Sequence, residues 1–186
     1  MKITSKENDI TEILYSEKQI AAMVETLGEQ LTNDYRGTRP VMVCVLKGAS
    51  IFFTDLCREM DCNLDMDFIT VSSYGASSKS SGVVKLTKDL DVDINGRDVI
   101  IVDDIIDSGL TLKHLKQLFM TRNPKSVKTI ALLDKKVRHE PDLTPDYVGF
   151  QCPDHFVVGY GLDYDEYYRN LPYIGILKPS VYGGEE

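Results

Sequence analysis

The segment that most restricts the fold is a β-branched run, Val99-Ile100-Ile101-Val102, that breaks directly into Asp103-Asp104-Ile105-Ile106-Asp107-Ser108-Gly109-Leu110-Thr111. Four such residues in a row leave no polar face. The strand they predict must be covered on both sides, as in a parallel sheet between layers of helices. The acidic turn follows at its end, and a helix is predicted from there to about Arg122.

The same order recurs along the chain. Ser16-Glu17-Lys18-Gln19 reads as a capping box, and Ile20, Val24, Leu27 and Leu31 continue at helical spacing, predicting a helix from Glu17 to Asp34. Pro40 to Leu46 is a second continuous apolar run, broken by Lys47-Gly48-Ala49-Ser50 before a helix over Ile51 to Met60. Strands are predicted at Asp65–Val71, Val127–Leu133, Tyr147–Phe150 and Phe156–Val158. Strand, turn, helix and strand in repetition predict an α/β domain with right-handed crossovers. In such sheets ligands sit at the carboxyl ends of the strands. The polar clusters Lys47-Gly48, Asp103 to Thr111 and Lys135 fall at those ends.

At 186 residues the chain fits one domain and needs neither disulfide nor metal to fold. A net charge of −8 argues against a nucleic-acid binder that works by general basicity, and against a polybasic membrane anchor. Cys44, Cys57, Cys62 and Cys152 form no Cys-x-x-Cys pair and have no His at zinc spacing, so free thiols in a reducing cytoplasm are expected. The first residues lack the apolar core of a secretory signal, and no apolar stretch has the length of a membrane span. No Gly-x-x-x-x-Gly-Lys-Ser/Thr sequence occurs, and Gly159-x-Gly161 lacks the third glycine of a dinucleotide fingerprint.

The acidic turn has a chemical reading of its own. A helix N-terminus offers unpaired N–H groups and the positive end of a dipole, which suits a phosphate. Gly109 admits close backbone approach, and Ser108 and Thr111 add hydroxyl donors. Carboxylates just ahead of an anion cradle would repel a bare polyanion. They make sense facing vicinal sugar hydroxyls or a Mg²⁺ ion, so the segment describes a site for a phosphorylated ribose. A capped helix with solvated aspartates is the plain alternative, disfavoured by the buried run ahead of it and the Asp-Asp-x-x-Asp spacing.

IVDDIIDSGLT, from Ile101 to Thr111, resembles the phosphoribosyl-pyrophosphate loop of type I phosphoribosyltransferases. Val45-Leu46-Lys47-Gly48, Ser72-Ser73-Tyr74-Gly75, Leu132-Leu133-Asp134-Lys135 and Phe156 to Tyr164 narrow the resemblance to hypoxanthine-guanine phosphoribosyltransferases. It extends from about Val41 to Leu171, most of the chain. It implies a Rossmann-like central parallel sheet flanked by helices, and one domain over residues 1–186. A small hood from about 1–15 and 150–186 and a flexible lid over about 73–83 would complete it.

The resemblance also implies roles. Asp107, Ser108, Gly109, Leu110 and Thr111 match the segment that binds the 5′-phosphate. Asp103 and Asp104 match the acidic pair near the ribose hydroxyls, where the family often has Glu-Asp; Asp103 has the shorter reach. Asp107 matches the general acid/base at purine N7, Lys135 the lysine bonded to the 6-oxo group, and Phe156 and Val157 the base-stacking ring and the backbone at the base edge. Asp163, at the purine end, matches a Mg²⁺ contact, so the metal ligands implied are Asp103, Asp104 and Asp163. Lys47, Gly48 and Arg169 match pyrophosphate contacts in a loop with a non-proline cis peptide, and Ser73 and Tyr74 match the start of the lid. The implied protein is a Mg²⁺-dependent, cytoplasmic purine-salvage enzyme, a homodimer or homotetramer. It would use hypoxanthine, and guanine with it, plus phosphoribosyl pyrophosphate. The rivals are a xanthine- or adenine-preferring relative and a phosphoribosyl-pyrophosphate-sensing regulator that binds nucleic acid. The net charge opposes the second.

Overall fold

The computed structural model describes residues 7–73, 84–136, 138 and 144–183. After a 3-10 turn (Glu7–Asp9) the elements are β1 (Ile10–Tyr15), α1 (Glu17–Asp34), β2 (Val41–Leu46), α2 (Ser50–Glu59), β3 (Asp65–Ser73) and β4 (Val84–Lys88). They continue with β5 (Asp98–Ile106), α3 (Leu110–Met120), β6 (Ser126–Asp134), β7 (Tyr147–Gln151), β8 (Val157–Val158), β9 (Ile174–Leu177) and α4 (Pro179–Tyr182).

Six strands form the central sheet in the order β4-β3-β2-β5-β6-β7. All neighbours are parallel except β4, which closes one edge antiparallel to β3. The continuous apolar runs have the burial they predict: Val41 to Val45 and Val99 to Val102 are all buried. Their alternation sorts them onto two cores. Met42, Cys44, Ile100 and Val102 pack with Phe52, Phe53 and Leu56 of α2 and with Ile20, Val24, Leu27 and Leu31 of α1. Val41, Val43, Val99 and Ile101 pack with Leu112, Leu115 and Phe119 of α3. Truncating a large side chain in either layer costs roughly 2–5 kcal/mol.

The helix α1 spans the residues that its periodicity predicts. Its capping box is formed: Gln19 N–H donates to Ser16 Oγ at 3.4 Å, and Ser16 N–H donates to Gln19 Oε1 at 3.0 Å. The strand β5, however, does not end at Val102. It continues to Ile106, because Asp103 still pairs with Ala131 and Ile105 with Leu133 of the buried neighbour β6. Both acids of the pair therefore stand within the strand, not in the turn.

The chain leaves β2 towards β3 on one side and returns to β5 on the other. The loops after β2 and β5 thus open at the place where the strand order reverses, which is where a sheet of this kind forms a crevice. A second, three-stranded antiparallel sheet, β1-β9-β8, brings residues after 150 together with the start of the chain. Its members β1 and β9 are short, and neither was marked by the sequence pattern. All four cysteines are free thiols, and burial pushes Cys44 up to about 12. No helix among the described residues is long and apolar enough to cross a membrane.

The amino ends of β2, β3 and β5 are tied by Asp65, which pairs with both Arg39 and Arg97. The hydrogen bond from Arg97, reinforced by Arg39, holds the Asp65 carboxyl below its ordinary value. A depressed folded-state pKa stabilises the fold above the unfolded value, near 3.9, and that contribution is lost as pH falls through the folded value. Asp65→Asn is therefore expected to lower the melting temperature at pH 7. The deficit should shrink to nothing below the ordinary carboxylate range in a series of thermal melts.

Candidate active site

Two glycines bring two loops and the end of β5 into contact. At Gly161 the backbone has φ +103°, and a Cβ there would lie 2.0 Å from the carbonyl oxygen of Gly48. At Gly48 a Cβ would lie 1.5 Å from Oδ2 of Asp104. The loop after β2 therefore touches the segment after β8 backbone to backbone, and the Asp104 side chain of β5 packs directly on the Gly48 backbone. The Leu46–Lys47 peptide in this loop is cis, as the resemblance implies.

Arg169 locks the same junction. Its Nη1 donates to the Gly161 carbonyl at 2.8 Å, and the Gly161 N–H donates to the Arg169 carbonyl at 2.9 Å. Its Nη2 pairs with Asp163 at 2.8 Å. Lys47 Nζ lies 3.0 Å from Glu166 Oε1, while Glu166 Oε2 lies 3.3 Å from Arg169 Nη2. The three residues matched to pyrophosphate, Lys47, Gly48 and Arg169, are thus neighbours, with the Glu166 carboxylate bridging the two cations. Glu166 was not singled out in the sequence.

Electrostatics single out the acidic pair. Burial, and then the charge of Asp104, push Asp103 well above the ordinary carboxylate range. Asp104 is also raised by burial, partly offset by the Ile105 N–H it accepts at 2.8 Å and by Arg169. Burial disfavours full charge on two adjacent carboxylates, a cost that nearby cations or hydroxyl donors would relieve. Among the described residues no three His, Cys, Asp or Glu side chains form a group able to hold a metal ion by themselves. Asp104 and Asp163 line one cavity, whereas Asp103 is buried beside Asp104 and lines another.

Those two cavities share a wall. One, of about 90 Å³, is lined by Asp103, Ile105, Ile106, Asp107, Ser108, Gly109, Thr111 and Leu112. The helix α3 starts there from Gly109, at φ +74° and with no side-chain cap; the Leu110 N–H reaches Ser108 Oγ at 3.5 Å, and the Thr111 and Leu112 N–H groups after it remain open to an anion. The Leu110 side chain points elsewhere, being 42% exposed. The other, of about 200 Å³, is lined by Asp104, Ile105, Asp107, Lys135, Phe156, Val157, Leu162 and Asp163. It gathers all four residues matched to the base, Lys135, Phe156, Val157 and Asp163. Lys135 is 8% exposed, and its backbone N–H donates to the Ile106 carbonyl, joining the ends of β6 and β5. Asp107 lines both cavities, facing Arg138 Nε at 3.6 Å, and Arg138 in turn pairs with Asp154 at 2.6 Å. Arg138 was not singled out in the sequence, and Ile105 and Leu162 lie in the matched segments but had no role assigned. A larger cavity of about 420 Å³ lies between α1, α2 and residues 160 and 170–172, away from this chemistry. Ser73 ends β3, its backbone opposite Val84. Tyr74 and the rest of the expected lid lie outside the described residues.

The sequence model of the phosphoribosyl transferase domain matches residues 11–165. The chain belongs to the phosphoribosyltransferase family. This phosphoribosyltransferase is 55% identical over 175 residues to the hypoxanthine-guanine phosphoribosyltransferase of Bacillus subtilis (strain 168), a match covering 94% of this chain and 97% of that one. It is 53% identical over 178 residues to the bifunctional protein TilS/HprT of Listeria monocytogenes, of whose length the match spans 28%. The crystal structure of a hypoxanthine phosphoribosyltransferase from Staphylococcus aureus superposes with a TM-score of 0.93 at 46% identity, covering 97% of this chain and 99% of that one. The central sheet and its flanking helices are the type I phosphoribosyltransferase fold.

Proposed function

We propose that this phosphoribosyltransferase acts in purine salvage. It joins hypoxanthine or guanine to the ribose 5-phosphate of phosphoribosyl pyrophosphate, giving the nucleoside 5′-monophosphate and pyrophosphate. The observation that carries the reading is the position of Asp107, in the wall of both the anion cradle and the base cavity.

In the reaction the bond from the anomeric carbon to pyrophosphate breaks and the bond to purine nitrogen forms. Positive charge grows on the sugar, and negative charge on the leaving group. The open N–H groups at the start of α3, with Ser108 and Thr111, hold the 5′-phosphate. Lys47, the Gly48 backbone and Arg169 meet the leaving group, which takes the place of Glu166 between the two cations. Asp103 and Asp104 face the sugar side. Asp107 accepts the proton that the purine loses, or holds it at N7. Lys135 donates to the 6-oxo group, Phe156 stacks on the base, and the Val157 backbone meets its edge.

Magnesium fits this site as a substrate-bound ion. Asp104 and Asp163, with Asp103 behind, would supply one or two carboxylates, and substrate oxygens the rest. When bound, it neutralises charge on the pyrophosphate. We take the three-stranded sheet and its connections as the hood, since Phe156, Val157, Leu162 and Asp163 come from that part of the chain. A cytoplasmic homodimer or homotetramer completes the reading.

Incubation with phosphoribosyl pyrophosphate, Mg²⁺ and each of hypoxanthine, guanine, xanthine and adenine, followed by absorbance, tests the activity. Formation of 6-oxopurine nucleotides is expected, and none from adenine. Adenine carries an amino group where Lys135 needs an acceptor, leaving a donor facing a donor. Lys135→Ala should lower the ratio of hypoxanthine to adenine kcat/KM by roughly 10- to 150-fold, since a hydrogen bond to a charged group contributes about 1.5–3 kcal/mol. An unaltered ratio would remove Lys135 from base selection.

A further inference from the structure

Phe156 is held from outside the base cavity. Its ring stacks on Tyr182 of α4, with centroids 5.0 Å apart and an interplanar angle of 26°. Tyr164 meets it edge-on at 5.6 Å and 88°, and the two tyrosines meet each other at 6.4 Å. The cavity wall includes Phe156 but neither Tyr164 nor Tyr182, so both tyrosines sit behind or beside the ring. The short helix that carries Tyr182 is anchored. Lys178 N–H donates to the Asp9 carbonyl, Val181 packs against the cluster of Val158 and Leu177, and Leu177 N–H donates to the Phe156 carbonyl.

We infer that Tyr182 is a positioning residue for base recognition, fixing the plane of the Phe156 ring before the purine arrives. The inference rests on the reading of Phe156 as the stacking ring. Phe156 is 38% exposed and its three predecessors, Pro153, Asp154 and His155, are exposed too. A ring on such a segment turns freely unless another surface holds it. A purine that must order the ring itself binds more weakly than one that meets it already ordered. A face-to-face partner at 5.0 Å supplies that order from the end of the chain remote in sequence.

The test separates the base from the sugar phosphate. Calorimetric affinities for inosine 5′-monophosphate and for ribose 5-phosphate are measured on the parent protein, Tyr182→Ala, Tyr182→Phe and Phe156→Ala. Tyr182→Ala should weaken the nucleotide about three- to tenfold, the range for an aromatic pair, and leave ribose 5-phosphate unchanged. Its KM for hypoxanthine should rise in step, with kcat little altered. Tyr182→Phe keeps the ring and should behave as the parent. If Phe156→Ala loses nucleotide affinity and Tyr182→Ala does not, the role of Tyr182 is overturned while the base cavity stands. If Tyr182→Ala weakens ribose 5-phosphate equally, the residue serves the fold and the inference fails. If Phe156→Ala changes nothing, the base-cavity reading falls and takes the inference with it.

Discussion

Asp107→Asn is expected to cut turnover by about 10²- to 10⁴-fold, the range for loss of a positioned general acid or base. Affinity for ribose 5-phosphate should survive. The amide has the volume of the carboxyl and still lines both cavities, but it cannot take up a proton at the pH of the assay. The Asp107 side chain is half exposed, and its only ion pair, among the described residues, is the 3.6 Å approach of Arg138. The melting temperature should therefore hold, and a fall in kcat cannot be assigned to unfolding. Steady-state kinetics beside calorimetry of ribose 5-phosphate make the comparison. Unchanged turnover would take Asp107 out of the chemistry.

Gly161→Ala is expected to do the opposite, damaging the fold and the site together. The added Cβ meets the Gly48 carbonyl at 2.0 Å, a backbone atom that cannot turn aside, and alanine is strained at φ +103°. The two costs together should exceed about 2 kcal/mol, a fall in melting temperature of roughly 4–8 °C for a chain of this size. Gly96→Ala is the control. Its φ is +68°, but nothing lies within 4 Å of the added carbon, so it reports the backbone strain alone. The excess at Gly161 reports the close approach together with its wider φ. Because Gly48 in turn abuts Asp104, the displaced loop should also raise KM for phosphoribosyl pyrophosphate. Equal losses at the two glycines would mean that the contact is soft.

The layered sheet was legible because burial on both faces forces a run with no polar member, and Val41–Val45 and Val99–Val102 have that form. The reach of β5 was not, since its extension through Asp103 and Asp104 is imposed by the partner β6, and a neighbour's ladder leaves no mark on the strand's own residues. The strands β1 and β9 of the small sheet escaped for a related reason. β1 has no fully buried position, and a run such as Ile10–Tyr15, with three exposed positions in a row, looks like ordinary surface. In the site, Asp103 to Thr111 announced itself by pairing apolar residues with acids and glycine. Glu166 and Arg138 are single charges on exposed turns, indistinguishable in sequence from solvated ones. Their positions follow from tertiary closure, as does the contact of Gly48 with Gly161.

The two-sided packing of β5 has a further consequence. On the proposed reading, its alternate side chains address different halves of the reaction. Ile100 and Val102 bear on α2, whose preceding loop carries Lys47 and Gly48, while Val99 and Ile101 bear on α3, which opens the anion cradle. One strand thus acts as a partition wall with a separate tenant on each side. Repacking Ile101 would then be felt at the proposed phosphate cradle, and repacking Ile100 at the proposed pyrophosphate loop.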